Sequence, residues 1–292
     1  MITVCRLFGL HAGAAVAATF WLIDAPDSLS AQSHRNPDGA GVGAFGPDGT
    51  ATVSKQPIAA WQDQEFASAA HDLRGTTFVA HVRYASTGAH TLANTHPFVQ
   101  EGRLFAHNGV VQGLAELDRR LADLGAAGLV RGETDSERIF ALITAEARRH
   151  GGDLAPGLAA AIGWISEQLP VYSLNLVLAT ATDLWALRYP ATHELHVLAR
   201  PATDHDLDAT SSRIHARSRH LADRPCVIIA SERMDNDPGW RLLAPGELLH
   251  VDSSLTIDSS APLPSVPRHP LQLAELDPNS AASQHPQSAA TA

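Results

Sequence analysis

The sequence predicts an α+β layered fold, two β-sheets with helices outside them. Short strand-like runs fill the N-terminal part, helical periodicity dominates residues 114–168, and short strand-like runs return from residue 171. The 292 residues allow one large domain or two small ones, and 45% hydrophobic content is that of an ordinary globular protein.

Taken in order, residues 2–10 read as a buried strand in which Gly9 admits another backbone closely. Residues 14–34 carry a helical pattern interrupted by Pro26, with Ser28 placed to cap a short second helix. Ser33 to Phe45 is a turn-rich loop that feeds a strand. Gly46-Pro47-Asp48-Gly49 is a hairpin turn, and Thr50 to Lys55 returns. Residues 61–73 suit a surface helix, and Thr76 to Tyr84 a strand. Leu104 to Val111 is a further strand, broken by His107-Asn108-Gly109. Leu114 to Leu124 is helical, and Thr134-Asp135-Ser136-Glu137 forms a capping box for a helix that runs to His150. A last helix spans about Ala155 to Gln168. Strands follow at 171–180, 183–188, 194–198, 225–231 and 247–251. From Ser259 the composition turns to Pro, Ser, Ala and Gln, which predicts a largely disordered tail over 259–292, with Leu271-Gln272-Leu273 as a local docking point. The main domain is therefore expected over 5–258, preceded by four extra residues.

Charge and cysteine content narrow the function. With 31 acidic and 21 basic residues the net charge is −10, which argues against nucleic acid or an anionic membrane as partner. Leu7 to Ile23 has the apolar look of a secretory segment. Met1-Ile2-Thr3-Val4 is no basic leader, however, and Gly9, His11 and Gly13 interrupt the run, so a cytoplasmic chain is expected. Two cysteines form neither a disulfide framework nor a thiolate metal cage. Sixteen histidines show no ligand pair beside a carboxylate on one helix face, so neither a metal nor a cofactor is expected. Ser211 to Arg224, with Arg213, His215, Arg217, Arg219 and His220, reads as a solvated loop, with phosphate contact as the alternative. Cys226 lies in an apolar run and reads as core.

Cys5 is the residue to explain. A thiol beside Leu7 and Phe8 is ordinary core unless other groups gather round it. Four segments supply such groups. In His81-Val82-Arg83-Tyr84 an Arg and a His alternate along a strand; the Arg fork can clamp a carboxylate or simply snorkel at the sheet edge. In Asn94-Thr95-His96-Pro97 the proline pins an extended loop, and His96 reads as structural. His107-Asn108-Gly109 is either a hairpin turn or a pair of donors, the Asn amide and the Gly N–H, converging on an oxyanion. Asp135 stands on the first turn of its helix, where it either complements the helix dipole or accepts from a ligand ammonium.

In this order and spacing, Cys5-Arg6-Leu7-Phe8-Gly9, His34-Arg35-Asn36-Pro37-Asp38-Gly39-Ala40-Gly41, His81 to Gly88, Asn94-Thr95-His96-Pro97, His107-Asn108-Gly109 and Thr134 to Glu137 resemble the class II glutamine amidotransferases, N-terminal-nucleophile hydrolases. The resemblance covers about residues 5–255, and the short opening looks like the stand-alone amidotransferase-like group. It implies an αββα four-layer sandwich. It also implies that Cys5 is the nucleophile, with its own freed α-amine as base, and that Asn108 and Gly109 form the oxyanion hole. Arg83 would hold the substrate α-carboxylate and Asp135 its α-ammonium, with His81 alongside and His34-Arg35 in a loop near the nucleophile. L-glutamine or a γ-glutamyl amide would be the substrate, and a synthase subunit a possible acceptor of the ammonia. Two other readings are an acylase acting on penicillin or bile-salt amides and a non-catalytic glutamine-binding subunit; the paired clamp for an amino-acid head group weighs against the first. One departure stands out: Ile2-Thr3-Val4 separate Cys5 from Met1, so removal of Met1 alone does not free the amine. A start codon at Val4 is the expectation, ahead of a four-residue propeptide or an inactive relative.

Overall fold

Alternation along a single strand shows how the layers arise. In β1 (Arg6–Val16), Leu7 joins an apolar cluster between two sheets, while Phe8, Leu10 and Ala12 join another beneath helices. Side chains two apart share a face, so a strand apolar on both faces needs a cover on each side. The computed structural model describes residues 5–25, 27–84, 88–202, 207–210, 215–218 and 224–284, and meets this demand with four layers.

The first sheet runs, in spatial order, β13 (Arg241–Leu242), β9 (His196–Arg200), β12 (Cys226–Ala230), β1, β4 (Gly75–Arg83), β2 (Gly39–Phe45) and β3 (Ala51–Gln56). All its pairings are antiparallel. The second runs β15 (Ile257–Ser260), β14 (Leu248–Val251), β8 (Leu184–Leu187), β7 (Pro170–Ala179), β6 (Arg103–Val111) and β5 (Phe98–Gln100), with β16 (His269–Pro270) set parallel to the start of β7. β10 (Leu207–Thr210) and β11 (His215–Ser218) form a separate hairpin. The helices α1 (Leu29–Gln32) and α2 (Gln64–Asp72) cover the first sheet; α3 (Leu114–Asp123), α4 (Asp135–Arg149) and α5 (Leu154–Gln168) cover the second. The αββα sandwich is the fold observed.

Most elements fall where periodicity puts them, and the exceptions have physical causes. The expected strand over 2–10 starts at Arg6 and continues to Val16, because β12 and β4 pair with it on both edges. The helical pattern over 14–34 shrinks to a π-type turn at Phe20–Asp24 and the single turn of α1, whose Ser28 cap accepts from the Ala31 N–H as expected. β6 is not broken at His107-Asn108-Gly109: it pairs with β7 straight through, Asn108 opposite Asn175 and Gly109 opposite Leu174. A Cβ at residue 109 would stand 1.9 Å from the Ser173 carbonyl oxygen, so the glycine is there for strand pairing rather than for a turn. The capping box is half made. Thr134 accepts from the Glu137 N–H, but the Glu137 carboxylate accepts from the N–H groups of Arg131 and Gly132 instead of reaching back to residue 134.

The segment after residue 258, expected to be largely disordered, is placed against the domain as far as Gln284. β15 pairs with β14, the Leu271 N–H donates to the Val171 carbonyl, and α6 (Pro278–Gln284) buries Ser280, Ser283 and Gln284. Composition missed this because backbone pairing and two buried anchors, Leu263 and Leu276, hold a polar stretch without an apolar run. Residues 1–4, 285–292 and most of the basic stretch 211–224 lie outside the described residues.

Candidate active site

Five segments meet at the end of the sandwich where β1 begins. Cys5, His81, Arg83, Tyr84, His96, His107, Gly109, Thr134, Asp135 and Ser136 line one cavity there. β4 lies between β1 and β2 and delivers His81 and Arg83 to it; β6 delivers His107 and Gly109; the first turn of α4 delivers Asp135 and Ser136.

The Cys5 Sγ is clasped by one backbone unit, donating to the Tyr84 carbonyl and accepting from the Tyr84 N–H, both at 3.2 Å. Burial pushes its pKa up; the Tyr84 backbone and the charges of Arg83 and Arg6 pull it down, and the Asp38 carboxylate pushes it up again. Arg6 is anchored by a two-pronged ion pair to Glu232, with both contacts at 3.2 Å. Arg83 is itself buried, which depresses its pKa, while Cys5, Asp38 and Asp135 counter that shift. Its guanidinium donates to the Gly88 and Ala89 carbonyls at 3.4 Å each.

Asp135 is fully engaged at one side. Its Oδ2 accepts from the Val111 N–H at 3.0 Å, and its Oδ1 from the Ser136 N–H at 2.8 Å and the Ser136 hydroxyl at 3.3 Å. A carboxylate has about four acceptor positions, so the one left on Oδ2 stays available to a cation. Asn108 shares a face of β6 with Ala106 and Leu104 and so points between the sheets. Its Oδ1 and Nδ2 are both buried without a partner. An unpartnered buried amide is costly and calls for an explanation, which a bound ligand would supply.

Three buried imidazoles also face the cavity. His81 and His96 lie 4.2 Å apart, centroid to centroid. Burial holds His81 down at about 3, with the Arg83 charge adding to it, and holds His96 well below its ordinary value. His107 is lowered too. All three are therefore neutral at physiological pH. The loop that brings His96 in is held by Lys55, whose ammonium donates to the Thr95 and Pro97 carbonyls at 2.6 and 3.2 Å. Gly41 makes room for it, since a Cβ there would lie 2.2 Å from the His96 carbonyl oxygen.

Of the residues singled out from the sequence, the cavity gathers Cys5, His81, Arg83, Gly109 and Asp135, with Asn108 on the strand beside Gly109. Arg35 is not among its lining residues; it lies exposed in the loop between α1 and β2, next to His34, which stacks on Trp61. Sequence reasoning gave no chemical role to His96, His107, Ser136, Tyr84 or Asp38. His107 and Ser136 each sat beside a residue already chosen, and side-chain alternation carried attention to the neighbour. Tyr84 acts through its backbone, which leaves no trace in residue type.

Most of the chain matches a known family. Residues 4–269 fit the model of the class-II glutamine amidotransferases. The chain belongs to that family. Its relatives include enzymes named as amidotransferases and as a γ-glutamyl hydrolase. Among curated relatives, the γ-glutamyl-hercynylcysteine sulfoxide hydrolase of Mycolicibacterium smegmatis is 30% identical over 240 residues, 79% of this chain and 88% of that one. The amidophosphoribosyltransferase of Methanothermobacter thermautotrophicus is 29% identical over 229 residues, 77% of this chain but 42% of that protein. Among solved structures, the glutamine PRPP amidotransferase from B. subtilis shares the fold with a TM-score of 0.62 at 19% identity, over 90% of this chain and 50% of that one. A glutamine aminotransferase class-II domain protein from Silicibacter pomeroyi does so with a TM-score of 0.58 at 22% identity, over 89% of this chain and all of the other. The chain thus spans half or less of the amidophosphoribosyltransferase-type proteins and the full length of the shorter one. Among the described residues no helix is long and apolar enough to cross a membrane.

Proposed function

We propose that the unit over residues 5–258 hydrolyses the γ-carboxamide of L-glutamine, or of a related γ-glutamyl amide, through a thioester on Cys5. The observation that carries this reading is the grouping of one buried thiol, one guanidinium and one carboxylate around a single cavity, with an unpartnered amide on the adjoining strand. Because burial raises the Cys5 pKa, the group is a thiol at neutral pH and needs a base. An α-amine, with a pKa of about 7.7–8.0, is suited to that task once it is free of a peptide bond.

The amine takes the thiol proton, and the sulfur attacks the carboxamide carbon. The oxyanion is received by the Asn108 amide and the Gly109 N–H, each donor being worth about 3 kcal/mol in the transition state. The C–N bond breaks as the amine returns its proton to the leaving ammonia, and water then hydrolyses the thioester. Arg83 holds the α-carboxylate and Asp135 the α-ammonium, which fixes the amide over the sulfur. His81 walls the pocket as a neutral group and adds no charge beside Arg83. The released ammonia either leaves or passes to a synthase subunit.

A γ-glutamyl amide other than glutamine is supported by one observation, the match to the γ-glutamyl-hercynylcysteine sulfoxide hydrolase over 88% of its length. The test is ammonia and glutamate release from chains that begin at Cys5, measured beside a panel of γ-glutamyl amides and a Cys5→Ala control. Intact-mass analysis of natively expressed protein belongs with it: a retained Met1 together with full activity would sink the role given to the amine.

A further inference from the structure

We propose that Asn94 and Glu133 are positioning residues that tie Arg83 to Asp135, so that the two ends of the substrate head group are met at one fixed spacing. This rests on the roles given above to Arg83 and Asp135, and assigns a task to two residues which that reading leaves idle.

The tie runs through one side-chain amide. The Ala89 carbonyl is the first shared atom, accepting from the Arg83 guanidinium at 3.4 Å and from Asn94 Nδ2 at 3.0 Å. Asn94 Nδ2 also donates to Glu133 Oε2 at 3.1 Å, and that same oxygen accepts from the Ala89 N–H at 2.9 Å. Asn94 Oδ1 in turn accepts from the Glu133 N–H at 2.8 Å. A backbone N–H can only donate, so the amide has its oxygen towards residue 133 and its nitrogen towards residue 89. Residue 133 stands two places before Asp135, and between them Thr134 is fixed as the cap of α4.

Turn chemistry does not account for this arrangement. An Asn that served only its own turn would bond within it, whereas Asn94 reaches across 39 residues to the entry of α4. Asn94 is 2% exposed although residues 91–93 beside it are open to solvent, and each polar atom of its side chain is engaged. Glycines admit it on both sides. A Cβ at residue 88 would stand 2.8 Å from its Nδ2, and one at residue 132 would stand 2.5 Å from its Oδ1. The Glu133 carboxyl is exposed, yet the Ala89 N–H and then the Asn94 amide hold it below its ordinary value.

The two clamp residues come from different layers. Arg83 ends β4 in the first sheet, and Asp135 opens α4, which covers the second. Glutamine carries both of its head-group charges on one carbon, so it meets both residues only if their separation is right. Setting that separation beforehand removes an ordering cost from binding. A ligand with one of the two charges does not sense it.

Ammonia release by chains beginning at Cys5 tests this, with L-glutamine, with glutaramate, which lacks the α-amine, and with 4-aminobutanamide, which lacks the α-carboxylate. Glu133→Ala and Asn94→Ala should each lower kcat/KM for glutamine about 10-fold or more, the scale of a hydrogen bond to a charged group, and change it less than about threefold for the two analogues. Glu133→Gln keeps an oxygen able to accept where Oε2 does, and should recover most of the glutamine activity. Equal loss on all three substrates, the mark of a merely structural residue, overturns the proposal, and so does no loss on glutamine. Should the buried Asn94 variant fail to fold, the exposed Glu133 variants decide alone. Failure of the parent reading looks different. There, the unsubstituted chain beginning at Cys5 releases no ammonia, or turns over glutamine no faster than the two analogues.

Discussion

The two cysteines lie at opposite ends of one pair of adjacent strands and have opposite surroundings. Cys226 opens β12, pairs with Ala12 of β1, and packs among Phe8, Leu10 and Ile228 under the helices of the first layer. Burial drives its thiol up to about 11, eased by the Arg200 charge. Cys5, at the other end of β1, is buried as well, yet the Tyr84 backbone and two arginines oppose the shift. Burial alone makes a thiol inert. The reactivity proposed for Cys5 would come from what else the strand ends bring to it.

Exchanging each residue for a smaller one sharpens that contrast. Cys5→Ala should lower kcat by about 10³-fold or more, the scale of losing a covalent nucleophile, and move the thermal midpoint little. Cys226→Ala should leave kcat within about twofold and cost about 1 kcal/mol of stability. A Cys226 variant that lost activity with its fold intact would break the comparison.

Asn108→Ala comes next. An oxyanion donor is worth about 10²–10³ in kcat. Since neither polar atom of the Asn108 side chain has a partner, the variant should be as stable as the parent or more so. A clear loss of thermal midpoint would show that the amide is structural.

The active end should also be the acid-labile end. Burial holds His81 at about 3 and His193 at about 4, against 6.5 for an ordinary histidine. In the unfolded chain both take up protons near pH 6.5; in the folded chain they do not until the lower values. The unfolded state therefore binds more protons over that window, and stability, full above pH 6.5, falls as pH drops towards 4. Each such proton contributes a slope of up to about 1.4 kcal/mol per pH unit. Urea midpoints at a series of pH values should show this fall, and His193→Gln should remove close to one proton from the slope.

The smallest effect should come from the C-terminal segment. His193 Nε2 and Gln284 Oε1 are 2.5 Å apart and buried. Gln284→Ala should cost about 1 kcal/mol with kcat unchanged, read by thermal melts beside the ammonia assay.

Legibility in the sequence followed the range of the interaction. The Gly46-Pro47-Asp48-Gly49 turn, the Ser28 and Thr134 caps, and helices α3 to α5 are local, and residue spacing showed them. Asn108-Gly109 was ambiguous because the same dipeptide serves a turn or a crowded strand; pairing with β7, more than sixty residues away, decided it. The tail after residue 258 was misjudged for the same reason, since its partners, Val171 and His193, lie about a hundred residues back.

By themselves, the residues of this chain determined its layers and most of its elements, which follow from periodicity written into neighbouring positions. The groups proposed to act on a γ-glutamyl amide were indicated by the resemblance of its motifs to the family. Only the tertiary structure decided which groups share a cavity: that Cys5 is clasped by Tyr84, that Arg35 is not among the lining residues, and that His107 and Asp135 line it together. Such facts depend on strand register and on the approach of distant backbones, which no local pattern encodes.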